Sequence, residues 1–383
     1  MPAPRLPSVL DQLLAQADVR INGPRPWDLQ LHQPRMIQRV LQQGSLGLGE
    51  SYVDGEWDCA QLDELMNRLL KAEERNSLGW RNKLLLGFES LRHRLMNLQK
   101  PSRAFQVGER HYDVGPDVFE AMLDRQMVYS CACWDRAQNL EQAQQDKLEL
   151  ICRKLQLQPG MRVLDIGCGW GGLAAFAARH HGVQVTGITV SREQQEKARA
   201  HCAGLDVRIL LQDWRQTWSL DKRYERIVSV GMFEHVGPHN HAAFLARCRE
   251  LLDDSGLMLL HTIGSHRTTS STDPWIDRYI FPNGKLPSAR EIANAAEGQM
   301  LVEDWHNFGL DYERTLLAWW HNFQQAWPEL APRYGRRFGR MWRYYLLSCA
   351  GFFRSRQGQL WQIVLSKPER RQPYRSVRLM QAL

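Results

Sequence analysis

No stretch of this sequence is apolar for long enough to cross a bilayer as a helix. The longest uncharged apolar runs, residues 166–178 and 344–353, have thirteen and ten residues, against the roughly 20 that a span needs. The N-terminus, with Pro2, Pro4, Arg5, Pro7 and then Asp11, lacks the apolar core and small-residue cleavage site of a secretory signal. The eight cysteines, at 59, 131, 133, 152, 168, 202, 248 and 349, include no Cys-x-x-Cys pair and no zinc-type Cys/His spacing. Free thiols in a reducing compartment are expected, hence a cytoplasmic protein without a bound metal. Internal repeats and low-complexity tracts are also missing, which argues against solenoids.

Acidic residues are scarce in one region. Residues 331–383 hold twelve Arg and Lys against one acid, Glu369, so this segment carries +11 of a chain whose total is +7. A basic tail on a mildly acidic body points to phospholipid headgroups or nucleic acid, or else is an ordinary solvated surface. Arg336, Arg340 and Arg343 recur at helical spacing beside Arg333 and Arg337, with Tyr334, Phe338, Met341 and Tyr345 interleaved. Such a helix suits an anionic lipid surface, and dimerisation is the competing use of its aromatic side. With 43% hydrophobic and 24% charged residues in 383, the chain is globular and long enough for two or three domains.

Residues 1–75 contain turn-forming runs at 21–26 and 44–50 between short apolar stretches, the pattern of a small mixed α+β domain. Residues 76–104 have the composition of a helical linker. From about residue 148, short apolar runs alternate with amphipathic ones: strands are predicted at 162–166, 183–189, 207–211, 227–232 and 257–263, and helices at 173–180, 192–201 and 241–252. That alternation predicts a doubly wound, mostly parallel α/β sheet in a domain spanning 105–383. Between 264 and 299 it stops, and a long insertion after a strand usually belongs to the active-site side.

Asp165-Ile166-Gly167-Cys168-Gly169-Trp170-Gly171-Gly172 is a buried strand running into glycines that open a helix, a place where backbone amides approach an anionic group. The spacing departs from the dinucleotide fingerprint, and no acid ends the next strand to hold a ribose, so a nicotinamide cofactor is not expected. The loop resembles the first motif of class I S-adenosylmethionine methyltransferases. Thr189, Ser191 and Gln194 follow the second strand, with Gln194 in place of the usual ribose-binding acid. Gln212, Asp213 and Trp214 follow the third, where Asp213 suits an adenine amino group and Trp214 either stacks on the ring or packs in the core.

Further segments carry a closer resemblance: 44–52, Val128-Tyr129-Ser130-Cys131-Ala132, Val230-Gly231-Met232-Phe233-Glu234-His235-Val236-Gly237, Leu260-His261-Thr262-Ile263-Gly264 and Tyr279-Ile280-Phe281-Pro282-Asn283-Gly284. In this order they are similar to the bacterial cyclopropane-fatty-acyl-phospholipid synthases over nearly the whole chain. The resemblance implies delivery of a methylene from S-adenosylmethionine to the cis double bond of an unsaturated acyl chain in a phospholipid. It also implies a bilayer-engaging N-terminal domain, a bound bicarbonate ion, a homodimer peripheral to the inner face of the membrane, and no nucleic acid.

Carried over residue by residue, the resemblance places S-adenosylmethionine against Tyr129, Ser130, Asp165, Gly167, Cys168, Gly169, Trp170, Gly171, Thr189, Ser191, Gln194, Gln212, Asp213 and Trp214. It places bicarbonate against Cys131, Glu234, His261, the backbone of Ile263, and Tyr312, and it adds Cys349 as a further family position. The residues alone leave alternatives open. Glu234 is equally a helix cap, His261 a satisfied core histidine, Cys131 a small buried hydrophobe, and Cys349 packing. The aromatic residues from 275 onward line an acyl channel or fill a helical core. Rival readings are a lipid methyltransferase that leaves an open branch, a nucleic-acid methyltransferase, and a lipid-binding module without activity.

Overall fold

The computed structural model describes residues 7–75, 114–220 and 223–377; the predicted linker at 76–104 lies outside them. The chain divides into two compact units. One takes the described residues of 1–96 with 270–282 and 312–358; the other takes those of 97–269, 283–311 and 359–383.

In the first unit, helices Ser8–Gln16, Arg35–Gln43, Ser45–Val53 and Leu62–Arg75 accompany a two-stranded antiparallel ribbon, β1 (Gln30–Leu31) with β2 (Trp57–Asp58). The glycine run at 44–50 is helical rather than a turn, and only Gly44, at φ 59°, stands outside the helix. Close packing explains the glycines. A Cβ at Gly47 would sit 2.2 Å from the Arg39 carbonyl oxygen, and one at Gly49 2.3 Å from the Trp275 ring. The helical residues 312–354 are broken at Gly335 (φ 73°, ψ 165°), so the arginines on its two sides do not share one helical phase. Trp275, Trp319, Phe323 and Trp342 are fully buried, and Phe338 stacks on Trp342 at 5.5 Å; these aromatics fill a core.

The basic stretch also differs from its sequence reading. Arg340 donates to the Tyr52 and Trp57 carbonyls at 2.7 and 2.9 Å and pairs with Asp58 at 2.8 Å. Arg343 donates to the Tyr52 hydroxyl and to the Cys59 carbonyl, and Arg337 pairs with Asp54. The charge of Arg340 and Arg343 is directed at acids and carbonyls of the same unit, whereas Arg336 and Arg337 are exposed, Arg337 with an acid partner. Among the described residues no helix is long and apolar enough to cross a membrane.

The second unit is built on a seven-stranded sheet of β3 (Arg162–Ile166), β4 (Gln184–Thr189), β5 (Val207–Leu211), β6 (Tyr224–Val230), β7 (Leu252–Ser265), β8 (Leu301–Asn307) and β9 (Gly358–Ser366). Their order is β5-β4-β3-β6-β7-β9-β8. The first five pair in parallel, and β8 runs antiparallel to β9. Helices Gly172–His181, Arg192–His201 and His241–Leu251 connect the parallel strands.

Alternate strand residues feed two apolar cores. Leu164, Ile166, Ile227, Met258 and Leu260 join Phe233, Phe244 and Leu245 in one, while Val163, Val185, Val228, Leu257 and Leu259 join Leu148, Ile151 and Phe176 in the other. Burial on both faces produces the near-continuous apolar strands, each such side chain contributing roughly 1.5–3 kcal/mol. The chain winds outward from β3 to β5 and returns to β6 on the other side of β3. Its switch point therefore lies at the carboxyl ends of β3 and β6, the usual ligand crevice of open α/β sheets.

Candidate active site

At the end of β3 the backbone turns through three glycines of positive φ: Gly167 (86°), Gly169 (55°) and Gly171 (85°). The amides of Gly167 and Cys168 donate to the Ile188 carbonyl at 2.9 and 3.0 Å, tying the loop to β4. A Cβ at Gly167 would lie 2.8 Å from the Met232 side chain, whereas one at Gly169 would meet nothing within 4 Å. Gly169 thus marks the open side of the loop. The Cys168 thiol is buried and pushed far up by that burial, so it packs rather than reacts. Asp165 is 2% exposed, its Oδ2 has no hydrogen-bond partner, and burial raises its carboxyl to about 7 against the opposing charge of Lys147. A bare buried carboxylate oxygen beside such a loop fits a ligand with a cationic, hydrogen-bonding amino-acid end.

The segment at 124–131 lies along the same loop. A Cβ at Gly172 would meet the Gln126 carbonyl oxygen at 2.5 Å, and the Phe119, Tyr129 and Trp170 rings pack at centroid separations of 5.0–6.4 Å. Ser130 lies beneath Gly231, 3.9 Å from where a Cβ would be. Cys131 is fully buried with its Sγ donating to the Ala132 carbonyl at 3.2 Å.

After β4, Thr189 donates its hydroxyl to Gln194 Oε1 at 2.8 Å, and the Ser191 hydroxyl caps the next helix by accepting from the Gln194 amide. After β5, Gln212 is tied back by its amide to the Thr189 carbonyl at 2.8 Å. The Asp213 carboxylate accepts from the Arg215 amide and guanidinium, both at 2.8 Å. Trp214 packs edge-on to Phe244 at 5.2 Å with the Arg215 guanidinium over its ring. The crevice thus brings together the residues that follow β3, β4 and β5.

The end of β6 and the part of β7 beside it, where His261 pairs with Val230, carry the other candidates. The Gly231 amide donates to the His261 carbonyl at 2.9 Å, and the Ile263 amide donates to Glu234 Oε1 at 2.6 Å. The Lys285 amide holds the Glu234 carbonyl at 2.9 Å. Glu234 Oε2 and His261 Nε2 are buried with no hydrogen-bond partner. Burial raises the Glu234 carboxyl to about 7; it pushes the His261 imidazole well below its ordinary value, helped by the charges of Lys147 and Lys154. The Gln362 amide nitrogen lies 3.2 Å from His261 Nδ1. With the amide donating, a neutral ring carries its proton on Nε2.

Tyr312 and Cys349 belong to the other compact unit. There Tyr312 packs on Phe353 at 4.6 Å, and burial pushes the Cys349 thiol up to about 12, a protonated and unreactive form at neutral pH.

Three polar residues beside the candidates escape a reading by motif. From helix Leu140–Lys154, Gln144 donates to the carbonyls of Val128 and Ser130 at 3.2 and 2.9 Å, and Lys147 donates to the Ser130 hydroxyl at 3.0 Å. Asp124 accepts from the amides of Gln126 and Val128. The available signal was a lysine and a glutamine in the apolar phase of that helix, among Leu140, Ala143, Leu148 and Ile151.

Comparison with known proteins is consistent with this geometry. The family model described as mycolic acid cyclopropane synthetase matches residues 99–363. A cyclopropane-fatty-acyl-phospholipid synthase of Escherichia coli (strain K12) is 54% identical over 359 residues, covering 94% of this chain and 93% of that protein. A probable fatty acid methyltransferase of Pseudomonas putida is 39% identical over 67% of this chain and 68% of its own. The crystal structure of a mycolic acid cyclopropane synthase complexed with SAH and CTAB superposes with a TM-score of 0.63 at 32% identity, covering 69% of this chain and 98% of that one. The chain belongs to the mycolic acid cyclopropane synthetase family, and it is an S-adenosylmethionine-dependent methyltransferase of the class I fold.

Proposed function

We propose that this enzyme adds a methylene from S-adenosylmethionine across the cis double bond of an unsaturated acyl chain in a membrane phospholipid, giving a cyclopropane ring. The observation that carries the reading is the pair of buried, unpartnered atoms Glu234 Oε2, after β6, and His261 Nε2, on β7 beside the end of β6, in a chain with 54% identity to a phospholipid cyclopropane synthase.

The alkene attacks the sulfonium methyl, a carbon–carbon bond forms as the carbon–sulfur bond breaks, and S-adenosylhomocysteine leaves. The resulting cation loses a proton from its new methyl group, and the electron pair released closes the ring. An isolated alkene is a weak nucleophile, so positioning and exclusion of water supply much of the rate. The glycine loop and the residues after β4 and β5 position the sulfonium donor in this reading, with the bare Asp165 oxygen directed to its amino-acid end.

Bicarbonate, when bound, supplies the base for the departing proton. Glu234 and His261 suit an oxyanion that itself carries one proton. His261 Nε2–H would donate to an anionic oxygen of such an ion, and Glu234 Oε2 would accept its hydroxyl proton. Cys131, the Ile263 backbone and Tyr312 complete the proposed set by resemblance. The same resemblance adds a homodimer at the inner face of the membrane and an N-terminal domain, residues 1–75, that engages the bilayer.

The test is incubation with methyl-labelled S-adenosylmethionine and vesicles of cis-unsaturated phospholipid, followed by lipid hydrolysis and mass spectrometry of the fatty acids. Label in a ring-containing saturated chain is expected, with its yield falling when bicarbonate is removed. Label in an open branched chain would overturn ring closure and make the enzyme a lipid methyltransferase. S-adenosylmethionine binding without label in lipid would overturn the lipid assignment.

A further inference from the structure

Lys147 is a fully buried lysine that no motif of the family reading uses. Its side chain is 0% exposed, and its Nζ donates to the Ser130 hydroxyl at 3.0 Å. One turn earlier on the same helix face, Gln144 donates to the Val128 and Ser130 carbonyls. Burying an ammonium without compensating charge is costly, and such lysines either find anions or give up their proton. The groups that act on this one are Asp124, after helix Pro116–Met122, Asp165 on β3, and the Cys131 and Cys133 thiols. Burial lowers its ammonium to about 8, so at neutral pH it retains most of its charge.

Asp165 gives the reciprocal observation. It sits at the end of β3, and its Oδ2 is buried without a partner. Lys147 is the one charge that opposes the effect of burial on its carboxyl, and the neutral Cys168 and Cys202 thiols face it as well. The same lysine charge also disfavours protonation of His261.

We propose that Lys147 is a positioning residue for S-adenosylmethionine: it supplies the buried positive charge that balances Asp165 and, through Ser130, pins the 128–131 segment along the glycine loop. The inference rests on the reading that places the sulfonium donor at that loop. Ionised Asp165 then accepts from the ammonium of the donor's amino-acid end. Affinity for the donor therefore rises with pH as Asp165 ionises near pH 7, and loss of the lysine charge moves that rise to higher pH.

The experiment is calorimetric titration of the full chain with S-adenosylmethionine from pH 6 to 9, with thermal melts of every variant. Lys147→Met is expected to weaken binding at pH 7 by about tenfold or more, the usual scale for losing a buried charged hydrogen bond, and to shift the rise upward. Lys147→Arg is expected to restore the wild-type pH position. A lysine with only a structural role would lower the melting temperature of Lys147→Met without moving the pH profile, which overturns the proposal. Should Lys147→Met not fold, Lys147→Gln carries the test, because it removes the charge and keeps a donor for the Ser130 hydroxyl. Weaker binding with the rise moved to higher pH supports the proposal, and a wild-type profile overturns it. Gly169→Asn, a residue that tolerates the φ of 55° at this position and whose side chain enters open space, separates the two readings. Wild-type binding by that variant removes the donor from the loop; lost binding there with a wild-type Lys147→Met profile overturns the lysine inference alone.

Discussion

Glu234 is a carboxyl taken out of water with one oxygen hydrogen-bonded and the other bare, and burial raises it from 4.5 to about 7. Between those values the folded protein holds a proton that the unfolded chain has released. Stability contributed by this group is therefore complete below about pH 4.5 and is lost as pH rises through about 7, a difference of roughly 3 kcal/mol. Glu234→Gln keeps an oxygen to accept from the Ile263 amide and removes the titration. The variant should melt progressively higher relative to wild type from pH 5 to pH 8, while its ring-forming activity falls at least tenfold for want of a carboxylate. An unchanged difference in melting temperature across that range would show that the carboxyl is solvated. Glu234 and His261 were legible as candidates through the family resemblance, and the strand pattern agrees, because Glu234 follows one run that reads as a parallel strand and His261 falls in the next. Lys147 and Gln362 were not, since their roles arise from contacts between elements distant in the chain.

The element that secures the Glu234 loop is a helix of eight residues. Ser288 caps Ala289–Ala296 in a reciprocal capping box with Glu291. Glu291 also pairs with Lys285, whose amide holds the Glu234 carbonyl, and Ser288 bridges to Ser265 at the end of β7. Ser288→Ala should cost about 1 kcal/mol in chemical denaturation, the usual price of a lost N-cap, and should lower ring formation because the Glu234 turn loosens with it. Unfolding at the wild-type denaturant midpoint would show the box to be dispensable. Sequence reading saw only the end of the strand and helix alternation between 264 and 299. Two helices of six and eight residues, capped by Asp273 and Ser288, are too short to show apolar periodicity, and the Ser-x-x-Glu spacing was the one local sign of the second. The 44–50 run misleads in the opposite sense, because its glycines answer to neighbouring helices rather than to a turn.

At the scale of the molecule, the net charge of +7 and the +11 of residues 331–383 were readable from composition, but the use of each charge was not. Arg340 and Arg336 show the difference. Arg340 is directed into its own unit, on Asp58 and on the Tyr52 and Trp57 carbonyls, with its guanidinium 4.2 Å from the Tyr52 ring centroid. Arg340→Glu would strand those acceptors and set two acids together, at a cost of about 2–4 kcal/mol. Arg336 is exposed, and Arg336→Glu should leave stability within about 0.5 kcal/mol. A basic surface that draws the enzyme to anionic lipid yields roughly 1 kcal/mol per cationic side chain, so reversal of one charge removes about 2, less at high salt. Co-sedimentation with anionic vesicles at low and high salt, run beside thermal melts, separates the two effects. Arg336→Glu should lose vesicle binding in a salt-dependent way with its melt unchanged, and Arg340→Glu should lose its melt first. Wild-type sedimentation of Arg336→Glu would mean that the excess positive charge of the C-terminal region serves the fold rather than the membrane.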